Sequence, residues 1–267
     1  MKCKWIKKLT AGIIFLAAVG SLSGCQKAAT SENLFRDIEV NMTSVESAEE
    51  NQIVKLQMGD GDSAISQESN LDIEMTRNPA SVHRKGQQKT NMAGTKETQE
   101  MESYQVEEDG KTVIYSGTDE AWEKNAVEEK ETSSQQTVLF DGLQNLSGAF
   151  NVSQDLATVN KEECFELTGT ISGTQFQETF ADTLKALLGE DSSDLSGWNL
   201  QASEDEENNE ELQQKLNNVK VDCVIDIYRS NILPAKITFD LTDYLKAAGE
   251  ENAQVTSYTL EVTFCVL

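Results

Sequence analysis

The stretch TQFQETFADTLKALL, residues 174–188, carries the clearest periodicity in the chain. Phe176, Phe180, Leu184, Leu187 and Leu188 recur at helical spacing and form one apolar face. Thr174 and Gln177 have the spacing of a capping box, and Gly189 suits the position after a helix end. Such a helix must bury its face. What it buries against is set by the segments on either side.

Those segments alternate with period two, the signature of strands with one buried face. Ile38, Val40 and Met42 share a parity against Glu39, Asn41 and Thr43, and predict a first strand. Val54, Leu56 and Met58 predict a second, ending at the turn Gly59-Asp60-Gly61-Asp62. Leu71, Ile73 and Met75 predict a third, and the polar run from Val82 to Met92 suits a solvated strand. Residues 101–106 and 112–116 read as a hairpin whose Asp109-Gly110 pair supplies the positive φ angles of a tight turn. Trp122 follows on a short strand or loop.

Leu139, Leu143, Leu146 and Phe150 return to helical spacing, weakened by Gly142 and Gly148. Residues 163–171 predict a strand before the helix at 174–188. Residues 190–218 are polar and acidic; Ser203 with Glu206 makes another capping box, and Leu212 and Leu216 alone face a core. Strands at 219–228, 235–240 and 255–266 close the chain, with a short helix at 242–248. Short connections favour antiparallel pairing, and the apolar sheet face needs cover. The expected fold is α+β: a curved antiparallel sheet, or half-barrel, covered by two or more amphipathic helices.

The N-terminus carries an address. Lys2, Lys4, Lys7 and Lys8 precede the apolar run AGIIFLAAV (11–19), which is too short to span a bilayer. Leu22-Ser23-Gly24-Cys25 then has the form of a lipobox. This pattern predicts a signal peptide over 1–24, diacylglyceryl attachment at Cys25, and a mature chain anchored on the extracytoplasmic face of the cell membrane. Two acyl chains anchor stably where one does not. Residues 25–33 form a short tether, with an r.m.s. reach of roughly 15 Å, and 34–267 a single domain with a helical insertion at about 190–218.

Removing residues 1–24 removes four lysines and no acid, leaving 18 basic against 46 acidic residues, a net charge of −28. A field of that sign disfavours nucleic acid and flat adsorption on anionic lipid. With Cys3 lost and Cys25 lipidated, Cys164, Cys223 and Cys265 remain, so at most one disulfide forms. Strand parity puts Cys223 on the apolar face with Val221, Ile225 and Ile227, as a buried free thiol. Cys164–Cys265 is the better candidate for a pair, if one exists.

No pattern points to catalysis. His83 is the single histidine, on a polar segment without a nucleophile motif. The cysteines lack zinc spacing. A calcium loop starting at Asp60 would need Gly and Glu where Ile65 and Leu71 stand. No phosphate loop is present. The sequence therefore implies no catalytic residues, no metal and no cofactor.

The lipobox at Cys25, the segment Tyr104…Asp109-Gly110…Tyr115…Trp122-Glu123-Lys124 and the closing pattern Ile225-Asp226-Ile227…Leu233-Pro234-Ala235-Lys236-Ile237…Phe239-Asp240 together resemble a known group. It is the Lol-type lipoprotein-carrier superfamily, with the mycobacterial lipid-carrier lipoproteins. More closely, the chain resembles Firmicute membrane lipoproteins of that fold. The likeness covers most of 34–267 as an order of elements, and departs in showing no helix before the first strands and in the acidic insertion. It implies a half-open antiparallel barrel with a hydrophobic cavity between sheet and helices.

The expected function is non-enzymatic binding or presentation of a hydrophobic, lipid-like ligand in such a cavity. Trp122, Phe140, Leu143, Phe150, Phe176, Phe180 and Leu184 are the candidate lining residues, although plain core packing is the more usual role of such apolar stripes, which normally serve to bury sheets. The alternative is a fully packed protein-interaction lipoprotein serving a cell-envelope complex. The expected partners are the membrane, through the anchor, and either that ligand or an envelope protein, with no nucleic acid.

Overall fold

The computed structural model describes residues 29–59, 64–92, 94–108, 111–118, 121–127, 142–188, 206–248 and 255–266. Thr30 caps the first helix, α1 (Ser31–Met42), its Oγ1 accepting from the Asn33 N–H at 3.3 Å. Strands β1 (Ser47–Met58), β2 (Ile65–Thr76), β3 (Ser81–Met92), β4 (Thr95–Glu108), β5 (Lys111–Thr118) and β6 (Ala121–Val127) follow. A 3-10 helix (Leu143–Ala149) leads into β7 (Phe150–Val159) and β8 (Glu162–Ser172). Then come α2 (Gly173–Leu188), α3 (Glu206–Asn217), β9 (Lys220–Tyr228), β10 (Pro234–Asp240), α4 (Thr242–Ala248) and β11 (Val255–Val266).

All the strands pair antiparallel in one sheet ordered β6-β5-β4-β3-β2-β1-β11-β10-β9-β8-β7. The sheet is not closed: β6 and β7 are its two edges. β1 to β6 meander outward from the centre. β7 to β11 meander back, so that the last strand pairs with the first, Val54 opposite Leu260. Asn160 and Lys161, at φ 51° and 72°, turn the chain between β7 and β8, as a two-residue hairpin turn requires.

One side of the sheet, the inner face, is packed by the helices. Leu34, Phe35, Ile38 and Met42 of α1, Leu143 and Leu146, Phe176 and Phe180 of α2, Leu216 of α3, and Tyr244 and Leu245 of α4 share one buried cluster with inner-face residues of β8 to β11 and β1. Two glycines allow close approach. The Phe150 ring lies on Gly169, where a Cβ would come within 2.6 Å of it. At Gly173 a Cβ would sit 2.8 Å from the Leu216 carbonyl oxygen, so only glycine lets α2 start against the end of α3.

Several expectations are corrected. Residues 38–42 are helical: Leu34, Phe35, Ile38 and Met42 are buried at helical spacing, while Val40, assigned to the same face, is 62% exposed. The helix thought absent before the first strand is therefore α1. The predicted helix through 139–150 is a 3-10 helix from Leu143, and Phe150 already belongs to β7; positions 139–141 lie outside the described residues. The α2 capping box is Ser172–Gln175, not Thr174–Gln177. Ser172 Oγ accepts from the Gln175 N–H at 3.1 Å, and Gln175 Oε1 accepts from the Ser172 N–H at 3.0 Å. Thr174 and Gln177 instead tie α2 to α3, through Asn217 Oδ1 and Gln213 Nε2, both at 2.8 Å. The turns at 60–62 and 109–110, Gly189, the insertion at 190–205 and its Ser203 cap lie outside the described residues.

Candidate functional site

The residues nominated as a cavity lining divide. Leu143, Phe150, Phe176 and Phe180 are all buried between sheet and helices. Phe180 packs edge-on against Phe239 with centroids 4.9 Å apart, and Phe176 against Phe239 and Tyr244 at 5.3 and 4.9 Å. Phe150 meets Phe35 of α1 edge-on at 5.2 Å. These separations are those of direct aromatic packing. Leu184 lies on the α2 backbone, and Phe140 is outside the described residues.

Trp122 does not join them. It pairs with Gly117 and through it with Glu102, a row on the outer face of the sheet, and is 43% exposed. There its ring lies 5.5 Å from that of Tyr104, which stacks parallel to His83 at 4.1 Å. The order of aromatics in the hairpin does not reveal parity; only the register across four strands does. His83 is held by Glu102, Nε2 to Oε1 at 2.9 Å, and Lys85 reaches the same carboxylate at 3.0 Å. Hydrogen bonds from His83 and then Lys85 lower the Glu102 pKa.

The unexpected feature is polar and lies in the apolar layer. Glu50 and Gln52 occupy the inner face of β1 with Ala48 and Val54, opposite Phe264 and Val262 of β11 and Ile73 and Leu71 of β2. Glu50 is 3% and Gln52 1% exposed. Neither oxygen nor nitrogen of the Gln52 amide has a hydrogen-bond partner. Arg84 of β3 stands in the Glu50 row, beyond Ile73, and its guanidinium meets Gln105 Oε1 at 3.4 Å. Burial pushes the Glu50 carboxyl up to about 8, against the opposing pull of Arg84, and burial lowers the Arg84 pKa. Burial thus favours the uncharged form of the Glu50 carboxyl, which can donate a hydrogen bond.

This cluster was legible in principle. Counting back from Leu56 and Val54 by twos reaches Gln52 and Glu50. Because those positions are polar, the apolar alternation that marks the strand starts only at Val54, and it leaves Gln52 and Glu50 outside the visible pattern.

Cys223 is a buried free thiol, as its parity predicts, and burial raises its pKa. Cys164 is also buried and free, so the Cys164–Cys265 pair does not form. β9 and β10 stand between their strands. Three strand spacings amount to about 14 Å, twice what a disulfide spans. Among the described residues no group of three or more His, Cys, Asp or Glu side chains could hold a metal, and no helix is long and apolar enough to cross a membrane.

Fold and site together define a class: a large open antiparallel sheet, backed by helices on one face, with ionisable and amide groups sealed into the apolar layer. Within that class the chain belongs to DUF6612, a family of unknown function, matched over residues 30–259. No curated protein matches it in sequence. Among solved structures it is similar to the lipoprotein LppX of Mycobacterium tuberculosis, with 14% identity over 88% of this chain and 93% of that one and a TM-score of 0.44. It is also similar to LprF of Mycobacterium bovis, with 11% identity over 88% and 91% and a TM-score of 0.46. A putative outer membrane lipoprotein-sorting protein domain from Vibrio parahaemolyticus shows 9% identity over 89% and 93%, with a TM-score of 0.25. Likeness at this level transfers neither a ligand nor an activity.

Proposed function

We propose that this chain is a membrane-anchored, extracytoplasmic lipoprotein, lipidated at Cys25, that binds an amphiphilic ligand between its sheet and helices without catalysing a reaction. The observation that carries this reading is Gln52. A buried amide without partners costs roughly 1–3 kcal/mol, and an apolar side chain there would avoid the cost. The polar end of an amphiphile entering the layer would supply the missing hydrogen bonds, with the neutral Glu50 carboxyl as a second donor. Its apolar part would lie against Leu143 of the 3-10 helix, Phe150 at the start of β7, and Phe176 and Phe180 of α2, which must part to admit it; Leu184, further along α2, is a candidate for the same lining. Trp122 has no role in that layer.

Native mass spectrometry of the protein extracted from a lipid-containing host tests the reading. A retained amphiphile of defined mass supports it. An empty protein, with no uptake of a fluorescent fatty-acyl probe, rejects it. The close ring packing of Phe176, Phe180, Phe239 and Tyr244 favours a second reading, a solid domain whose surface serves an envelope protein complex. That reading gains if no ligand is retained.

A further inference from the structure

The outer face of the sheet carries a feature that the ligand-binding proposal does not use. Near the ends of β1 to β4 and β11 lies an open trough of about 500 Å³. Two cross-strand rows floor it. The first runs Thr259, Lys55, Glu68, Lys89, Thr98, and the second Ser257, Gln57, Ser66, Asn91, Lys96. The volume is that of a small-molecule site.

Its charge departs from the rest of the chain. The protein carries about two acids for each base, 46 against 22, yet three lysines line the trough against two acids, Glu68 and Glu97. Lys55, Glu68 and Lys89 stand directly opposite one another on adjacent strands, but none makes an ion pair with any described residue. The ammonium groups are thus uncommitted, on long stems able to converge on one anion. Asn91, between Ser66 and Lys96, has its side-chain oxygen shielded from solvent with no hydrogen-bond partner. A buried acceptor needs a donor, which an oxyanion alone lacks and a hydroxyl has.

We propose that this trough binds a phosphorylated polyol. The phosphate sits among Lys55, Lys89 and Lys96, and the hydroxyl groups reach Asn91 Oδ1 and the serine and threonine side chains. A bare apolar ligand would leave the lysine ammonium groups and Asn91 Oδ1 without partners, and a cation meets three ammonium groups. The trough and the apolar layer lie on opposite faces, so this proposal stands or falls independently of the amphiphile reading.

Calorimetric titration of the full chain in non-ionic detergent tests it, with glycerol phosphate, inorganic phosphate and a short-chain water-soluble phosphatidylglycerol as probes, and glycerol as control. Saturable binding of glycerol phosphate or of the lipid, weakening with salt and absent for glycerol, is the expected result. Binding of the lipid alone identifies a headgroup as the source, and binding of glycerol phosphate a free ester. Lys89→Gln should weaken binding about tenfold, the usual effect of losing one charge-assisted hydrogen bond. Glu68→Gln should tighten it, a gain that a misfolded variant cannot mimic. The proposal is overturned if no phosphate probe binds saturably, or if both substitutions leave the affinity unchanged.

Discussion

Glu50 of β1 and Arg84 of β3 flank Ile73 in a single inner-face row, placing a carboxyl and a guanidinium in the layer that packs against the helices. A carboxyl whose folded pKa lies above its unfolded value keeps a proton that the unfolded chain has released. The stability linked to protonated Glu50 is therefore full below pH 4.5, falls as pH rises, and levels off beyond about pH 8. The slope reaches at most about 1.4 kcal/mol per pH unit. Urea unfolding from pH 5 to 8 should show this decline, and Glu50→Gln should flatten it. An unchanged pH profile in the variant would mean that Glu50 is ionised in the folded protein.

Gln52→Leu separates the two functional readings. Removing an unpartnered buried amide should stabilise the ligand-free protein by about 1–3 kcal/mol, reduced by any misfit of the new side chain. It should also weaken a fluorescent amphiphile about tenfold, the effect of losing one well-made hydrogen bond in the complex. Thermal unfolding and probe titration measure both. A less stable variant with unaltered probe affinity would remove Gln52 from the site.

Phe180→Ala should cost the full penalty of a buried aromatic, about 3–5 kcal/mol. Its ring packs against Phe239 at 4.9 Å and lies 5.6 Å from Phe176, so truncation strips contacts on two sides. A loss well below that range in thermal unfolding would indicate that this part of the layer gives way to a ligand.

Both buried thiols should resist alkylation until the protein unfolds. Burial raises the Cys164 thiol to about 11 and Cys223 further, so the reactive thiolate is scarce as well as shielded. Native labelling followed by mass mapping tests this at each site. Fast modification of Cys223 would contradict the register of β9.

Cys25→Ser should leave the chain unprocessed or release it from membranes, because the serine hydroxyl cannot take the diacylglyceryl group through a thioether. Fractionation with metabolic lipid labelling checks the outcome. Normal lipidation of the variant would rule out Cys25 as the anchor.

Local patterns were legible wherever one residue type kept one parity. The apolar face of 174–188 announces α2, and Val219 to Asp240 announces β9 and β10, since burial on a single face leaves its period in the chain. Leu212 and Leu216 likewise marked the one face that α3 turns inward. Residues 38–42 were not decided locally: Ile38, Val40 and Met42 fit a strand, and Leu34, Phe35, Ile38 and Met42 fit a helix.

The sequence by itself determined the signal-like N-terminus, the acidic balance, and an antiparallel sheet with helices to cover one face. All three are properties of composition or of short-range period. Only the tertiary structure decided which way Trp122 points, that Glu50 and Gln52 are sealed among apolar neighbours, and that Lys55, Lys89 and Lys96 line one trough. Each of these depends on register between strands far apart in the chain. The parity that Glu50 and Gln52 share with Val54 and Leu56 is in the chain, but a shift of one residue in the pairing would turn any of these side chains to the other face, and which strands and helices close over them is not a local property.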